Sequence, residues 1–528
     1  MVTNHTMVTN AAHGISGRLR RRQVRLIHVH ANQTAFNYDA FWEQLWDRAN
    51  RVHVNLAAQS VRRRAMRPRV YVYDLPKPFG DFNVTATSAF GTAFGSLLKQ
   101  VGGAQLRDTS GYAFAALLHY RLWNSRMYRT DDPSQADLFF VPILTAPKRT
   151  FAFRTACEEV GAKLHRLTSL LPHLNEHTAR RHFVVLSKEH SWGDDRVSTG
   201  IHSKGSKCTG WFQKPTGPWA SMIRIAYSHK QPAALVRASQ YWTDRVFTRE
   251  FVDADGHFPN LYSVPFPGSV HAIPTASARH VERSPASVQP WDKNRRRRYA
   301  ASSMGRGNHS GVAVREKPAA SARHVKRAPT SVLPWDTSRR RRYAASYVGT
   351  WNHGDMAVRK KLWGQCKRMG RRCITMGFAH GSAMTIKGNS DFCLEAGGDT
   401  PMRKSLADSI GMGCIPMIFH PITVNANDWL WANWKDAALV NVPRNEFLAG
   451  RLNLSRLVET APPQLVALMK STLTANAQQF QISLDDDDLD AIHMILTGMQ
   501  RVLQADGSMA LAQAEHGTGR AQVAHTDR

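Results

Sequence analysis

The chain has 528 residues, enough for two domains of ordinary size with extra segments, and 42% of them are hydrophobic, as in a globular protein. Its formal net charge of +30 favours polyanions, anionic lipid surfaces or phosphorylated substrates, but the arginine clusters are short and predict solvated loops rather than a nucleic-acid surface. The sequence has neither a run of about 18 apolar residues nor an apolar N-terminal segment, so we expect neither a transmembrane anchor nor a signal peptide.

The N-terminal residues 1–66 are polar, basic and weakly patterned, and they predict a stem or a disordered tail. Within them, residues 36–56 have the pattern of an amphipathic helix. Order is expected to begin near Pro68, because residues 70–73 form a run typical of a first strand.

Predicted strands and helices alternate over residues 67–262, which indicates a parallel, doubly wound sheet. The predicted elements are helices over 112–128 and 158–171 and strands over 138–141 and 182–186. Ligands of such sheets bind outside the carboxyl ends of the strands. Candidate catalytic residues on those loops are Asp74, Asp137, Glu189, His190 and Asp194. Each of them could equally be an ordinary capping or loop residue.

A duplication interrupts the chain beyond residue 262. Residues 277–315 recur as residues 321–359, at an offset of 44, and two copies are too few for a solenoid. The second copy continues without a break into the following helix pattern. We therefore expect it to be the folded unit, with Tyr343–Val348 as a strand, Gly349 in a loop and Arg359 on a helix. The first copy should form an extruded loop, so that residues 263–342 are a largely irregular linker.

Residues 391–421 predict a strand, a glycine turn, a helix and a second strand. The runs 392–394 and 414–419 are apolar and suit buried strands. Gly397 and Gly398 permit a turn or a close backbone approach. The helix should begin at Thr400 as N-cap and Pro401 as first helical residue, and its apolar face repeats every four residues, at Met402, Leu406 and Ile410.

The start of this helix, beside a glycine turn, is a candidate anion site, because free N–H groups and the helix dipole favour negative charge there. Arg403 and Lys404 in the first turn suit a phosphate. The same unit is common in α/β proteins, and neither the dinucleotide fingerprint nor the P-loop motif is present, so a purely structural turn remains the alternative.

Six cysteines permit disulfides without showing them, and the absence of any CxxC pair argues against a zinc site. Cys393 and Cys414 lie in apolar runs and are interpreted as core residues. Five Asn-x-Ser/Thr sequons fit a protein of the secretory pathway, at Asn4, Asn32, Asn83, Asn308 and Asn453.

The order of residues 392–416 resembles the signature of the exostosin family, glycosyltransferase family 47. The matching residues are Phe392, Cys393, Leu394, Gly398, Asp399, Arg403, Asp408, Gly413, Cys414, Ile415 and Pro416. Ala396 departs from the proline that many members carry. Residues 71–76 and 132–142 also resemble the family pattern, so the resemblance covers roughly residues 68–500, with the duplication as an interruption.

The resemblance implies an α/β protein in which two Rossmann-like domains face each other across a cleft, the GT-B architecture. The N-terminal domain, 67–262, would hold the acceptor, and the C-terminal domain, 343–504, the nucleotide sugar, followed by a disordered tail over 505–528. The implied activity is an inverting transfer from a nucleotide sugar, expected to be a UDP-sugar, to a polysaccharide or glycoprotein glycan.

The resemblance also implies a membrane-associated enzyme in the Golgi lumen, which conflicts with the lack of an anchor in the sequence. No metal and no cofactor are expected to be required, although a divalent cation could stimulate the reaction. The expected partners are the nucleotide sugar, a glycan acceptor and another transferase in a hetero-complex, and no nucleic acid. Two alternatives stay open: a catalytically inactive scaffold of the same family, and a basic polyanion-binding protein that reuses the fold.

The family's chemistry requires cations or N–H groups that meet the charge of a leaving diphosphate, and a general base that deprotonates the acceptor hydroxyl. The expected donor-binding residues are Gly349, Arg359, Glu395, Gly398, Asp399, Thr400, Arg403 and Lys404. Glu395 could accept ribose or sugar hydroxyls, and Asp408 could pair with Arg403 or Lys404. No motif identifies the base, and the candidates are Glu189, His190 and Asp194.

Overall fold

A computed structural model of the chain describes residues 35–59, 67–76, 83–143, 167–186, 217–227, 231–232, 252–253, 260–274, 333–336, 340–352, 355–377, 380–398, 402–420, 423–424, 426–431 and 433–505. The chain divides into a short unit, Met1–Phe36, and a large unit, Asn37–Arg528. Every helix and strand named below belongs to the large unit.

The strands in the described part of the chain are β1 (Val70–Val72), β2 (Leu97–Val101), β3 (Ala104–Arg107), β4 (Arg129–Thr130), β5 (Leu138–Phe140), β6 (His182–Leu186), β7 (Ile223–Ala226), β8 (Gln231–Pro232), β9 (Val252–Asp253), β10 (Leu261–Ser263), β11 (Val270–Ala272), β12 (Tyr343–Val348), β13 (Cys373–Met376), β14 (Ser390–Glu395), β15 (Ile415–Ile418) and β16 (Val440–Asn441).

The α-helices there are α1 (Tyr38–Gln59), α2 (Ala89–Phe94), α3 (Phe114–Trp123), α4 (Pro218–Ser221), α5 (Met356–Arg368), α6 (His380–Gly388), α7 (Lys404–Gly411), α8 (Asp428–Trp431), α9 (Arg444–Ala449), α10 (Leu454–Thr460), α11 (Pro463–Asn476) and α12 (Ala491–Ala505). None of the described helices is both long enough and apolar enough to span a membrane.

Two parallel sheets organise the large unit. The first has the strand order β10-β7-β6-β5-β1-β4, and the second has the order β13-β12-β14-β15-β16. Helices are interspersed with these strands along the chain, as parallel crossovers require. The prediction of an α/β fold with parallel sheets is therefore confirmed.

A small antiparallel sheet, β11-β3-β2, joins residues on both sides of the expected domain boundary at residue 262. The strand β10 pairs with β7 of the first sheet, and β11 pairs with β3. The segment 263–342 is thus not irregular throughout, because its first part adds a strand to the N-terminal half.

The second copy of the duplication folds as predicted. Its residues Tyr343–Val348 form β12, and Arg359 lies on α5. Asp355 caps that helix by accepting from the Val358 N–H and binds Arg444 at 2.8 Å. The first copy has Gly311 at the position of Asp355, so it lacks a side chain on which this buried pair depends. Residues 277–315 themselves lie outside the described residues.

The helix α1 corrects the expectation of a stem over residues 1–66. Trp42 is 1% exposed and donates its indole N–H to Thr460 at the end of α10. The hydroxyl of Tyr38 accepts from the Asn453 N–H at 2.8 Å. Since α1 also contacts α11, it is part of the packed C-terminal half rather than a free stem.

The acidic residues within 485–490 precede α12, and the cap of that helix comes from the last of them. Asp490 is the residue that accepts from the His493 N–H in α12, and it also pairs with Arg121 of α3 at 2.9 Å. Asp486 accepts from the N–H groups of Arg126 and Met127. These acidic residues therefore tie the N-terminal half to the last helix.

Two disulfides are present in the described part of the chain, Cys366–Cys373 and Cys393–Cys414. Cys393 and Cys414 are buried core residues, as expected, and they are also bonded to each other, which was not predicted. They join β14 to the residue before β15, and both remain buried, so the disulfide adds a covalent link inside the second sheet.

Candidate functional site

The candidate site lies at the carboxyl edge of the second sheet. β12 and β14 are parallel neighbours, so the loops that follow them leave the same edge. Gly349 and Thr350 follow β12, and the turn Ala396-Gly397-Gly398 follows β14, which ends at Glu395. Gly349 and Gly398, both predicted as donor-binding residues, therefore lie on loops that leave the same edge of the sheet.

Arg359 joins these two loops from α5. Its side chain is buried, and it donates from Nε to the Gly397 carbonyl at 2.8 Å and from Nη1 to the Thr350 carbonyl at 3.0 Å. Both acceptors are neutral, and no carboxylate among the described residues forms an ion pair with it. A buried guanidinium without a counter-charge favours a bound anion.

Arg403 lies on the other side of the same turn. It is the N-cap of α7 in an extended conformation, with φ of −146°. Its guanidinium packs on Gly398 so closely that a Cβ atom placed there would lie 2.9 Å from the arginine Cζ. Arg403 makes no hydrogen bond and no ion pair with any residue that the structure describes, so its charge is available to a ligand.

The helix starts later than predicted. α7 begins at Lys404 with Arg403 as N-cap, instead of at Pro401 with Thr400 as N-cap. The predicted apolar face is correct, since Met402, Leu406 and Ile410 are 3%, 2% and 0% exposed. The late start places the Arg403 side chain at the helix terminus and not inside the first turn. The helix dipole favours an anion at that terminus.

Lys404, unlike Arg403, forms an ion pair with a described residue. Its ammonium contacts both carboxylate oxygens of Asp408 at 2.9 Å and donates to the Ser269 hydroxyl. Asp408 also accepts from the Ser269 N–H at 2.7 Å. Of the two partners predicted for Asp408, the structure selects Lys404, and this group of three residues joins α7 to the segment before β11.

Glu395 ends β14 and is 5% exposed. Its Oε1 accepts from Lys387 of α6 at 2.9 Å, from Ser405 at 3.2 Å and from Ser409 at 2.5 Å. Sequence reasoning missed Lys387, because a single lysine at the end of a helix carries no local signal of a buried ion pair.

Two buried groups of the C-terminal half, Tyr347 and His420, keep one protonation state over the neutral pH range. Burial raises the pKa of Tyr347 to about 12, and its hydroxyl donates to the Thr350 carbonyl that Arg359 also binds. Burial lowers the pKa of His420 to about 3, with Arg444 acting in the same direction. The Thr350 carbonyl, in the loop after β12, thus accepts from the Tyr347 hydroxyl and from Arg359.

The remaining predicted site residues are described only in part. Glu189, His190, Asp194, Asp399 and Thr400 lie outside the described residues. Asp74 follows β1 and is exposed at the carboxyl edge of the first sheet, as expected. Asp137 instead precedes β5 and accepts from the Arg69 N–H at 2.7 Å, so its position at the amino edge indicates a structural role.

Potential metal ligands do not cluster in the described part of the chain, where no group of three His, Cys, Asp or Glu side chains could hold a metal ion. Among the described residues, the site offers the guanidinium groups of Arg359 and Arg403 and the N–H groups at the start of α7. Such an arrangement can bind a phosphate or diphosphate directly.

Comparison with known proteins gives a match to the family model of the exostosin GT47 domain over residues 64–333 and 318–449. The two matched ranges overlap where the second copy of the duplication begins. A family model that restarts at a repeat is what a duplicated segment within one domain produces.

Three relatives from Arabidopsis thaliana resemble shorter stretches. A probable xyloglucan galactosyltransferase GT12 is 34% identical over 89 residues, 16% of this chain and 17% of the relative. A xyloglucan-specific galacturonosyltransferase 1 is 38% identical over 63 residues, 11% of this chain and 10% of the relative. A probable xyloglucan galactosyltransferase GT14 is 49% identical over 45 residues, 8% of this chain and 9% of the relative. Each similarity spans less than a fifth of the relative's length.

Proposed function

The chain belongs to the exostosin GT47 family, and from that premise we propose that it is an inverting glycosyltransferase that moves a sugar from a UDP-sugar to a polysaccharide. The relatives are named for transfer of galactose or galacturonic acid in xyloglucan. We therefore propose a hexose or hexuronic acid as the transferred sugar and a xyloglucan-like glucan as the acceptor class.

One observation carries the proposal: two guanidinium groups that have no carboxylate partner among the described residues flank the same glycine turn. Arg359 binds the Gly397 carbonyl, and Arg403 packs on Gly398. Both side chains lie where the carboxyl edge of a parallel sheet meets the start of a helix, the usual place for phosphates in such folds. The paired charge of Lys404 is excluded from this role, which leaves a site suited to one diphosphate.

The proposed reaction is a single displacement. The acceptor hydroxyl attacks the anomeric carbon, a general base takes its proton, and the bond to the UDP oxygen breaks, so that negative charge develops on the diphosphate. Arg359, Arg403 and the N–H groups at the start of α7 would stabilise that charge. Gly349, Asp399 and Thr400 would line the same donor site, and Glu395 would accept ribose or sugar hydroxyls.

The base is proposed among Glu189, His190 and Asp194, which follow β6 in the sequence. Because β6 belongs to the first sheet and the donor residues belong to the second, the reacting groups would meet across a cleft between two Rossmann-like halves. A Golgi location, association with the membrane and a complex with another transferase are part of the same proposal, and no resident cofactor is required by it.

Calorimetric titration with UDP tests the donor site. We expect Arg403→Ala to weaken UDP binding by roughly 10- to 100-fold, since a charged hydrogen bond contributes about 1.5–3 kcal/mol. Arg371→Ala is the matched control, because Arg371 is an exposed arginine at the amino edge of the same sheet. It should bind UDP like the wild type.

Turnover with UDP-galactose and UDP-galacturonic acid on a xyloglucan oligosaccharide then tests catalysis. Binding of UDP without turnover of either donor would favour the inactive scaffold. A folded wild type that does not bind UDP but binds heparin would overturn the transferase proposal in favour of a polyanion-binding protein.

A further inference from the structure

Lys387 is the most heavily engaged buried cation next to the candidate site. Its side chain is 3% exposed. Its ammonium contacts Glu395 Oε1 at 2.9 Å, the Ser405 hydroxyl at 2.9 Å, the Ser405 carbonyl at 3.1 Å and the Ser409 hydroxyl at 2.5 Å. Three secondary-structure elements, α6, β14 and α7, therefore meet at one nitrogen atom.

The contacts of Glu395 are strongly one-sided. All three of its side-chain hydrogen bonds go to Oε1, and they come from Lys387, Ser405 and Ser409. Oε2 makes no hydrogen bond with the part of the chain that the structure describes, and it is not a fully enclosed atom. Oε1 thus accepts hydrogen bonds from the protein, and Oε2 remains to accept hydrogen bonds from a ligand.

The ammonium group of Lys387 also sets the net charge next to the candidate anion site. Glu395 ends the strand from which the turn Ala396-Gly397-Gly398 departs, so a carboxylate without a counter-charge would lie beside Arg359 and Arg403 and weaken their attraction for an anion. Lys387 cancels that charge at 2.9 Å. The two guanidinium groups then remain for the diphosphate, while Glu395 can still accept hydrogen bonds.

We propose that Lys387 is a positioning residue for ligand binding: it commits Oε1 of Glu395, neutralises the carboxylate beside the anion site and leaves Oε2 to accept hydroxyl groups of a nucleoside diphosphate. This inference rests on the proposed function, because it assumes that UDP occupies the turn after β14. The competing interpretation is a structural ion pair that only holds α6 and α7 on the sheet, and binding selectivity separates the two.

The experiment compares three probes by calorimetry: UDP, 2′,3′-dideoxyuridine diphosphate and inorganic pyrophosphate. The wild type should prefer UDP over the dideoxy probe by about tenfold or more, since an acceptor left unpaired in the complex costs roughly that much. Lys387→Met should reduce this preference to about twofold or less and should weaken pyrophosphate by roughly tenfold. A comparison of the affinities for UDP-galactose and UDP shows whether hydroxyl groups of the galactose also bind Oε2 of Glu395.

Lys470→Met is the matched control. Lys470 binds Asp391 near the amino end of the same strand, far along β14 from the turn. Its loss removes a lysine–carboxylate pair without touching the site, so both the preference and the pyrophosphate affinity should stay at the wild-type values.

Lys387→Met leaves a buried carboxylate without its partner and could fail to fold. The double variant Lys387→Met/Glu395→Gln carries no unpaired charge, and thermal unfolding reports whether it folds. We expect it to bind pyrophosphate and to show no preference for UDP over the dideoxy probe. A folded single or double variant that keeps the wild-type preference would overturn the inference and leave a structural pair.

The wild type alone distinguishes failure of the proposed function from failure of the role of Lys387. If it binds UDP but does not distinguish UDP from the dideoxy probe, the positioning role fails and the proposed function stands. If it binds none of the probes, the proposed function fails and the role of Lys387 fails with it.

Discussion

At the scale of single residues, the geometry of the proposed anion site depends on the absence of a side chain at residue 398. Gly398 is buried under the guanidinium of Arg403, and a Cβ atom at residue 398 would lie 2.9 Å from Cζ and 3.3 Å from Cδ of that arginine. The glycine is therefore required for close approach and not for an unusual backbone angle.

We predict that Gly398→Ala weakens UDP binding by roughly tenfold, since displacing the guanidinium loses a charged hydrogen bond worth about 1.5–3 kcal/mol. Gly364→Ala, on α5, is the control, because a Cβ atom there meets only the end of the Arg368 side chain at 3.6 Å. Calorimetry on both variants checks this. An unchanged affinity in Gly398→Ala would mean that Arg403 does not contact the ligand.

At the scale of elements, the duplication makes a comparison available inside one chain. Arg341 in the second copy donates to the carbonyls of Lys387, Gly388 and Ser390 at 3.0–3.3 Å and to the Met412 carbonyl at 3.1 Å. It thus satisfies backbone carbonyls at the C-terminal end of α6, in β14 and just after α7. The expectation that this arginine cluster is a solvated loop is wrong for Arg341.

We predict that Arg341→Ala lowers the free energy of unfolding by about 1–3 kcal/mol, because buried carbonyls lose their donor. Arg297 is the equivalent residue of the first copy. The substitution Arg297→Ala should change the free energy of unfolding by less than about 0.5 kcal/mol. Urea unfolding of both variants measures the difference. Equal effects would show that the first copy is packed like the second.

Removal of residues 277–320 tests, for the whole repeat, whether the fold needs only the second copy. This deletion joins Ala276 to Ser321 and leaves one intact copy. We expect the midpoint of thermal unfolding and the UDP affinity to be retained, since a shorter loop costs slightly less entropy to close. A variant that fails to fold would contradict the prediction that only the second copy builds the domain.

At the scale of the whole molecule, buried histidines link stability to pH. Burial lowers the pKa of His119 and His182 to about 4 and the pKa of His271 and His420 to about 3. A lowered pKa means that the stabilising contribution is complete above the unfolded-state value of about 6.5 and is lost as the pH falls. Asp490 acts in the opposite direction, because burial raises its pKa to about 6.

We predict that the free energy of unfolding falls between pH 6.5 and pH 4, with each buried histidine contributing about 1.4 kcal/mol per pH unit and Asp490 offsetting about one of them above pH 4. Urea unfolding at several pH values measures the slope. His182→Gln should reduce the slope by about 1.4 kcal/mol per pH unit. His177→Gln, at an exposed position, should not change it.

The local sequence pattern was sufficient to predict much of the second sheet. The residues of β12, the buried face of α7 and the strands on both sides of it follow from apolar periodicity and glycine positions, which act between near neighbours in the chain. For the same reason the second copy of the duplication could be chosen, since its helix follows directly. Family resemblance, carried by the order of residues 392–416, agrees with the match of the family model.

Only the tertiary structure decided which charged groups are free and which are paired. Arg403 and Lys404 are adjacent in sequence, yet one has no partner among the described residues and the other is bound to Asp408 and Ser269. The packing of α1 on α10, the Cys393–Cys414 disulfide and the pairing of Lys387 with Glu395 were likewise not visible in the sequence. Such contacts depend on how separate elements meet in space, and no local periodicity encodes that.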